Sequence, residues 1–569
     1  MATVGTTKGV ARPGLVGALV GTVLGLVVLG PALAPGYTLH YDLVFVPDLP
    51  LSARTLGTDG SVPRAVPNDL LVALLGTVLP GWLVQKIILL GAFVLGGAGA
   101  GRLARTWPGA AAAAILWSWN PWVGERLGIG HWGYLVGFAV LPWVLHAAAR
   151  VGERRGRAAL FVGLTGAALC GSTPGVLATL VALVTVTCVD GSIRVQLLRQ
   201  AQVLGVALLA NAAWWWPFLR AAPRSADALG ASAFAAASDS PLGVVGSLAL
   251  GGGLWNERTW FVERTTWPLA LAASVAVLLL LGTALRRRSW WADPVGRGAT
   301  AAGVLGLGIA ALASLPGGHR LLEWVVTQVP GGGLVRDGQK FAALWVLLLV
   351  VATARVVDRL RGRGLPLPAV LVAALWPVAT LPSLGWGHSG SWGSVDYPRD
   401  VLTVAQQVGA AGEPAAVFPW STYRRYDWNG DRVVLDPWNR LLPQRVLSDD
   451  RLPLRDREVA GEDPAGVLVT RSLATHGATP DLLRSLGVRW VIVHSDQPAP
   501  AGTVPDLTAI PGRQVGDLRV HDLGAVVADG TAQDPWGALG LVGTAVAVLG
   551  SVVLLLRTRR RETSTTRLA

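Results

Sequence analysis

Apolar runs of roughly 15 to 21 residues recur from one end of the chain to the other, and no other feature narrows the possible folds so far. A bilayer core of ~30 Å is crossed by a helix of ~20 apolar residues, and within lipid only helices and closed barrels satisfy their own backbone hydrogen bonds. The runs therefore predict a polytopic α-helical membrane protein. Charge agrees: 15% of the 569 residues are charged, where a soluble globule carries ~25%.

Twelve spans are expected, at 15–34, 82–101, 109–123, 132–149, 158–170, 176–189, 201–219, 268–285, 299–315, 341–357, 368–384 and 536–556. The positive-inside rule tests the count. Lys8 and Arg12, Arg102 and Arg105, the arginines of 150–157, Arg194 and Arg199, and those of 286–297, 355–363 and 557–561 fall in alternate connections, which puts both termini in the cytoplasm. The first run ends in Ala32-Leu33-Ala34, like a signal-peptidase site. Its apolar stretch exceeds the ~7 to 15 residues of a signal sequence, so it reads as an uncleaved span. The formal charge of +13 thus reflects arginine in connecting loops, and no nucleic-acid partner is expected. Cys170 and Cys188 fall near opposite membrane faces, so neither a disulfide nor a zinc site is expected.

The same parity sends the first loop (35–81), 120–131, 220–267, 316–340 and 385–535 to the outer face. The chain divides into a transmembrane module (1–384), an extracytoplasmic α/β domain (385–535), and a last helix with a basic tail (536–569). Ala415–Phe418, 432–435 and 488–493 read as strands, and 480–486 as a short helix.

The first loop carries Asp42, Asp48, Asp59 and Asp69 in aromatic and proline-rich surroundings. A carboxylate desolvated beside a bilayer gains proton affinity and suits a general base, although Asp59 and Asp69 also suit turns and caps. Lys86, five residues into the second span, needs an anionic partner such as a lipid phosphate, or must snorkel. Arg336 and Lys340 are four apart; an early helix start puts them on one face as a phosphate clamp, while Asp337 is a competing partner. The tight hairpin Trp119-Asn120-Pro121-Trp122-Val123-Gly124-Glu125-Arg126-Leu127-Gly128-Ile129-Gly130-His131-Trp132 carries more polar groups than a turn needs. They suit sugar hydroxyls, a second carboxylate beside Asp42, or an internal Glu125 network with Arg126 or His131. Residues 418–430 and Pro437-Trp438-Asn439-Arg440 combine aromatic faces with polar arms, fit either to stack on a sugar or to seal against the membrane. There is no phosphate-binding loop, dinucleotide fingerprint, Ser/His/Asp order or metal-ligand spacing. No cofactor is expected, a divalent metal staying open, and the activated donor is expected to be lipid-borne.

Asp42 and Asp48, Val66-Pro67-Asn68-Asp69, Pro80-Gly81-Trp82-Leu83-Val84-Gln85-Lys86, and Asn120-Pro121-Trp122-Val123 ahead of His131 together resemble the GT-C class of membrane glycosyltransferases. The likeness is greatest to the membrane half of the actinobacterial cell-wall arabinofuranosyltransferases, over 15–151 and more weakly 333–350, in a chain much shorter than those enzymes. The resemblance implies sugar transfer, arabinofuranosyl or mannosyl, from a polyprenyl-phosphate donor to a cell-envelope glycan or glycolipid acceptor outside the membrane. It implies Asp42 as base with Asp48 beside it or exchanging roles, and Lys86, Arg336 and Lys340 at the phosphate. Asn68, Asn120, Glu125, His131 and Trp132 are expected as further substrate contacts. A transporter or flippase for a lipid-linked glycan is the alternative, as is a scaffold of an envelope-synthesis complex.

Overall fold

The computed structural model describes residues 12–221, 229–364, 366–453, 458–475, 477, 479–526 and 534–566. All twelve expected apolar segments fall on helices. Seven of the described helices are long and apolar enough to cross a bilayer: Pro13–Leu33, Gly81–Arg102, Ile193–Ala210, Trp267–Leu285, Pro294–Ser314, Gly338–Gly362 and Trp536–Thr558. An eighth crossing results if Leu367–Thr380 and Pro382–Gly390, bent by 69°, form one span.

The remainder fall short for local reasons. The run expected at 109–123 breaks at Trp119, because Asn120 caps a second helix that has Pro121 in its first turn. That leaves helix α1 (Trp107–Ser118) with 12 residues, ~18 Å at 1.5 Å per residue. Helix α2 (Pro121–Gly128) occupies what the sequence suggests is a tight turn, and residues 122–128 are all buried. Helix α3 (Trp132–Ala148) and helix α4 (Ser172–Thr187) have 17 and 16 residues. Helix α5 (Ala342–Gly362) is the centre of the bundle, apolar and buried almost all round, with α1 packed against it.

The C-terminal region holds a five-stranded sheet. Strands β1 (Ala415–Phe418), β2 (Tyr423–Arg425), β3 (Val433–Leu435), β4 (Val446–Leu447), β5 (Trp490–His494), β6 (Gly512–Val515) and β7 (Leu518–Asp522) include the three expected ones. The sheet order is β4-β1-β5-β7-β6, with β1 parallel to β4 and β5, and β7 antiparallel to β5 and β6. Side chains alternate across it. Ala415, Val417 and Ile492 join the core that runs through the helical bundle, while Ala416, Phe418 and Val491 build a separate core with Val469, Leu473 and Leu483. One face of the sheet is thus continuous with the bundle.

The first loop is laced to this region. Tyr37 exchanges two backbone hydrogen bonds with Val395 (2.7 and 2.9 Å), and Tyr41 takes part in two more, N–H to Val433 O at 2.6 Å and C=O from Leu435 N at 2.9 Å. The Tyr397 hydroxyl donates to Phe45 O at 3.0 Å. Three segments distant in sequence meet at Asp42, the first loop, the exit of α2 and the β2-β3 ribbon, and the turn before α5 joins them through Arg126.

Candidate active site

Asp42 is presented by an unusual backbone. Tyr41 holds φ of 41°, a left-handed conformation that is uncommon for a non-glycine residue and is kept here by its two main-chain bonds to the β3 strand. On the other side Asp42 N–H donates to Ile129 O at 3.1 Å, and Gly130 (φ 84°) lets the two chains touch: a Cβ there would lie 2.1 Å from Leu43 N. The Asp42 carboxylate then receives two hydrogen bonds, from the Tyr423 hydroxyl to Oδ1 at 2.8 Å and from His131 Nε2 to Oδ2 at 3.1 Å. Its side chain keeps 34% of its exposure, so a ligand can reach it.

The orientation of His131 follows from its other neighbour. Arg126 Nη1 lies 3.0 Å from His131 Nδ1, and a guanidinium can only donate. Nδ1 therefore faces the guanidinium, and Nε2–H points at Asp42. Burial pushes the Asp42 carboxyl up, but the hydrogen bond and charge of His131, the Tyr423 hydroxyl and the Arg440 charge together hold Asp42 below the usual carboxylate range. This corrects the expectation of a raised proton affinity: desolvation is present, and the donors prevail. Burial, reinforced by the Asp42 charge, pushes the Tyr423 phenol well above its ordinary value, so it stays a donor.

Behind His131 lies a buried polar chain. Arg126 is fully buried and bonds both oxygens of Asp337, at 2.6 and 2.9 Å, and Gln339 Oε1 at 2.5 and 2.9 Å. Gln339 Nε2 donates to Glu125 Oε2 at 3.1 Å, an atom that also accepts from Leu254 N at 3.1 Å. Next come Asp239 and Arg264, paired through two bonds of 2.5 and 2.9 Å. Burial, then the Asp239 charge, raises Glu125 well above the carboxylate range, so it is held as a neutral acid. Glu125 is therefore sealed inside rather than turned toward a sugar, because its hairpin is a buried helix.

Lys340 stands close to this group. Its Nζ donates to Thr173 Oγ1 at 3.0 Å and lies 6.0 Å from the Tyr134 ring centroid, while Tyr134 packs on His131 with ring centroids 4.7 Å apart. Arg336 does not share a face with it. The segment forms two 3-10 turns, Gly332–Val335 and Gly338–Phe341, instead of an early α-helix, and Arg336 turns to Glu462 at 3.0 Å, which also binds Arg64 at 2.6 Å. Lys86 is buried and among the described residues meets no carboxylate: its Nζ donates to Thr38 Oγ1, Gln85 Oε1 and Ser394 Oγ at 3.0, 3.1 and 3.1 Å. Those partners lie outside the Asp42 hydrogen-bond chain. Asp48 is exposed and is likewise outside it.

The other expected contacts divide. Asn120 is 3% exposed and spends its amide on Val123 N, Leu116 O and Trp117 O, which makes it a helix cap. Asn68 has a buried Oδ1 with no partner among the described residues. Trp132 packs against Phe45, ring centroids 5.4 Å apart, at the edge of a hollow also lined by Asp69 and Arg440. Tyr134, Thr173, Gln339, Asp239 and Arg264 are not singled out by the sequence. The last two are an acid and a base in an apolar outer connection, which is a readable signal; the others carry none. Among the described residues no three His, Cys, Asp or Glu side chains are grouped to hold a metal ion.

No protein-family model matches the chain, and no curated protein sequence does. Solved structures do: the cryo-EM structure of the arabinofuranosyltransferase AftD from Mycobacteria superposes with a TM-score of 0.57 at 17% identity, over 92% of this chain. The chain has the AftD fold. An arginine-to-serine mutant of AftD gives a TM-score of 0.55 at 16% identity, again over 92% of this chain. The chain spans 40% of the length of AftD in the first comparison and 42% in the second, so the likeness concerns one part of that enzyme.

Proposed function

We propose that the chain is a GT-C-type membrane glycosyltransferase that moves a sugar from a polyprenyl-phosphate donor to a cell-envelope glycan or glycolipid. The observation that carries this reading is Asp42: a reachable carboxylate bonded by a histidine and a tyrosine, with the buried ammonium of Lys340 nearby. Asp42 takes the proton of the acceptor hydroxyl while that oxygen bonds the anomeric carbon. The phosphate leaves with the electron pair of the broken C–O bond, and the charge it gains is met by Lys340. A carboxylate held below the usual range is ionised, and so ready to accept a proton, throughout the neutral region.

In this reading the shorter helices complete about twelve crossings, both termini are cytoplasmic, and residues 385–535 lie outside, so that base and donor meet at the outer leaflet. Arabinofuranose and mannose are the sugars to test, and an actinobacterial envelope is the setting the AftD likeness favours. Asp42→Asn keeps the shape of the site and removes the base. Purified protein supplied with a panel of polyprenyl-phosphate sugars is expected to lose ~10²-fold or more in turnover with this change and to keep its melting temperature. Unchanged turnover would remove Asp42 as base. Absence of turnover in the unmodified protein with every donor would favour a transporter or a scaffold.

A further inference from the structure

The end of the bundle remote from Asp42 gathers arginines that the fold leaves without acidic partners. Lys340, close to the hydrogen-bond chain of the candidate base, stands just before α5, and Arg359 lies in the last turn of that helix. Ala342 and Arg359 are ~26 Å apart along its axis at 1.5 Å per residue. There Arg359 Nη1 reaches across to Thr283 O at 3.3 Å, in the last turn of the helix Trp267–Leu285. The contact sets Arg359 beside the run Arg286-Arg287-Arg288, which leaves that helix, and the charges of Arg287 and Arg363 both bear on its guanidinium. Arginines 286 to 288, 359, 361 and 363 thus come from two distant segments to one end of the bundle.

Like charges held together repel, and the more so where lipid lowers the dielectric. The aspartates nearest to them are committed elsewhere. Asp293 accepts from Arg355 Nη2 at 2.7 Å and caps Val295 N at 3.0 Å, while Asp358 accepts from Arg105 N, Thr106 N and Thr106 Oγ1 at 2.8, 2.9 and 2.6 Å. Among the described residues no carboxylate pairs with any of the six arginines. Last-turn cations suit a helix C-terminus, which accounts for Arg359 and Arg361 and leaves the other four. The bias that keeps arginine on one side of a bilayer explains single residues in connecting loops, but it does not bring two segments face to face.

The surroundings say what kind of anion fits. Trp291 keeps 47% exposure with its Nε1 tied to Leu285 O at 2.8 Å, an indole placed as those at a membrane boundary are. Leu278 and Leu279 on one helix, and Leu367, Leu371 and Val372 on the helix Leu367–Thr380 packed beside it, are exposed. Cations thus stand above an apolar surface of lipid-facing side chains. We propose that this cluster binds the headgroup of an anionic phospholipid, with its phosphates held by Arg287, Arg359 and Arg363 and its acyl chains laid along those leucines. Guanidinium forks match phosphate oxygens, and several of them together favour a headgroup with two phosphates. A free phosphate would leave the apolar surface uncovered. The site lies at the opposite end of α5 from Lys340 and stands apart from the sugar-transfer reading.

The test uses the full-length protein purified in detergent and titrated with cardiolipin, which carries two phosphates, with phosphatidylcholine, and with inorganic phosphate. Adducts are followed by native mass spectrometry, and the melting temperature is measured alongside. Cardiolipin is expected to be retained in preference to phosphatidylcholine and to raise the melting temperature. Arg287 and Arg363 are exposed, so the double variant Arg287→Gln with Arg363→Gln keeps the fold; it is expected to weaken cardiolipin binding ~10-fold or more while its melting temperature without lipid stays unchanged. Arg359→Gln, which also gives up the bond to Thr283, should weaken binding as well. Arg194→Gln, at an exposed arginine on the helix Ile193–Ala210, which packs on other helices, should leave it unaltered. Equal retention of phosphatidylcholine, an equal rise in melting temperature with inorganic phosphate, or equal weakening by Arg194→Gln each overturns the site.

Discussion

The Tyr423 hydroxyl donates to Asp42 Oδ1 at 2.8 Å across 381 residues of chain, joining the β2-β3 ribbon to the first loop at the carboxylate proposed as base. Tyr423→Phe deletes one of the two donors that hold Asp42 below the usual carboxylate range. The carboxyl pKa then rises, and because the base works ionised, the acid limb of the rate profile moves to higher pH. Transfer rates measured across pH are expected to fall more in acid than near neutrality. An unshifted acid limb would separate Tyr423 from the titration of the base.

Arg126 and Asp337 form a buried pair whose side chains are 0% and 13% exposed. Breaking such a pair leaves one charge uncompensated in a low dielectric, at a cost of about 3 to 5 kcal/mol. Arg126→Gln is expected to lower stability by that amount in denaturant unfolding. Adding Asp337→Asn to it should recover part of the loss, since the stranded charge disappears.

Glu125 carries the opposite sign. Its pKa is raised in the folded protein by burial and by Asp239, so the folded state binds a proton that the unfolded state has released. Stability from this group is full below the ordinary glutamate value and falls as pH climbs toward the raised one. Glu125→Gln, neutral at all pH, should flatten that decline in unfolding curves taken across pH while costing little at neutrality. A steeper decline in the variant would contradict a neutral Glu125.

Gly130 is the contact point between the exit of α2 and the first loop. A side chain there meets Leu43 N at 2.1 Å and must also adopt φ of 84°. Gly130→Ala should therefore displace Asp42 from His131, with a loss of turnover of ~10²-fold and a modest loss of stability. Turnover near that of the unmodified protein would show that the loop tolerates the shift.

Legibility in the sequence followed the range of the forces involved. The helices at Gly81–Arg102, Trp267–Leu285 and Gly338–Gly362 were readable because burial in lipid demands a continuous apolar run, and such a run is local. The strands at β1, β3 and β5 were readable for the same reason, through local patterns of β-branched and apolar residues. Asp42 was readable as a candidate from its surroundings. Its proton affinity was not, because the donors that lower it come from positions 131 and 423.

What the amino-acid sequence determines by itself is thus the membrane class, the positions of the helical segments and the presence of acids in the first loop, all consequences of short-range hydrophobic and backbone demands. Which charges meet was decided by the tertiary structure alone. Arg336 and Lys340, four apart in sequence, part company because two 3-10 turns replace one helix, while Arg126 and Asp337, more than two hundred residues apart, become a bonded pair. A buried charge must find its partner wherever packing brings one within reach, and linear spacing does not carry that distance.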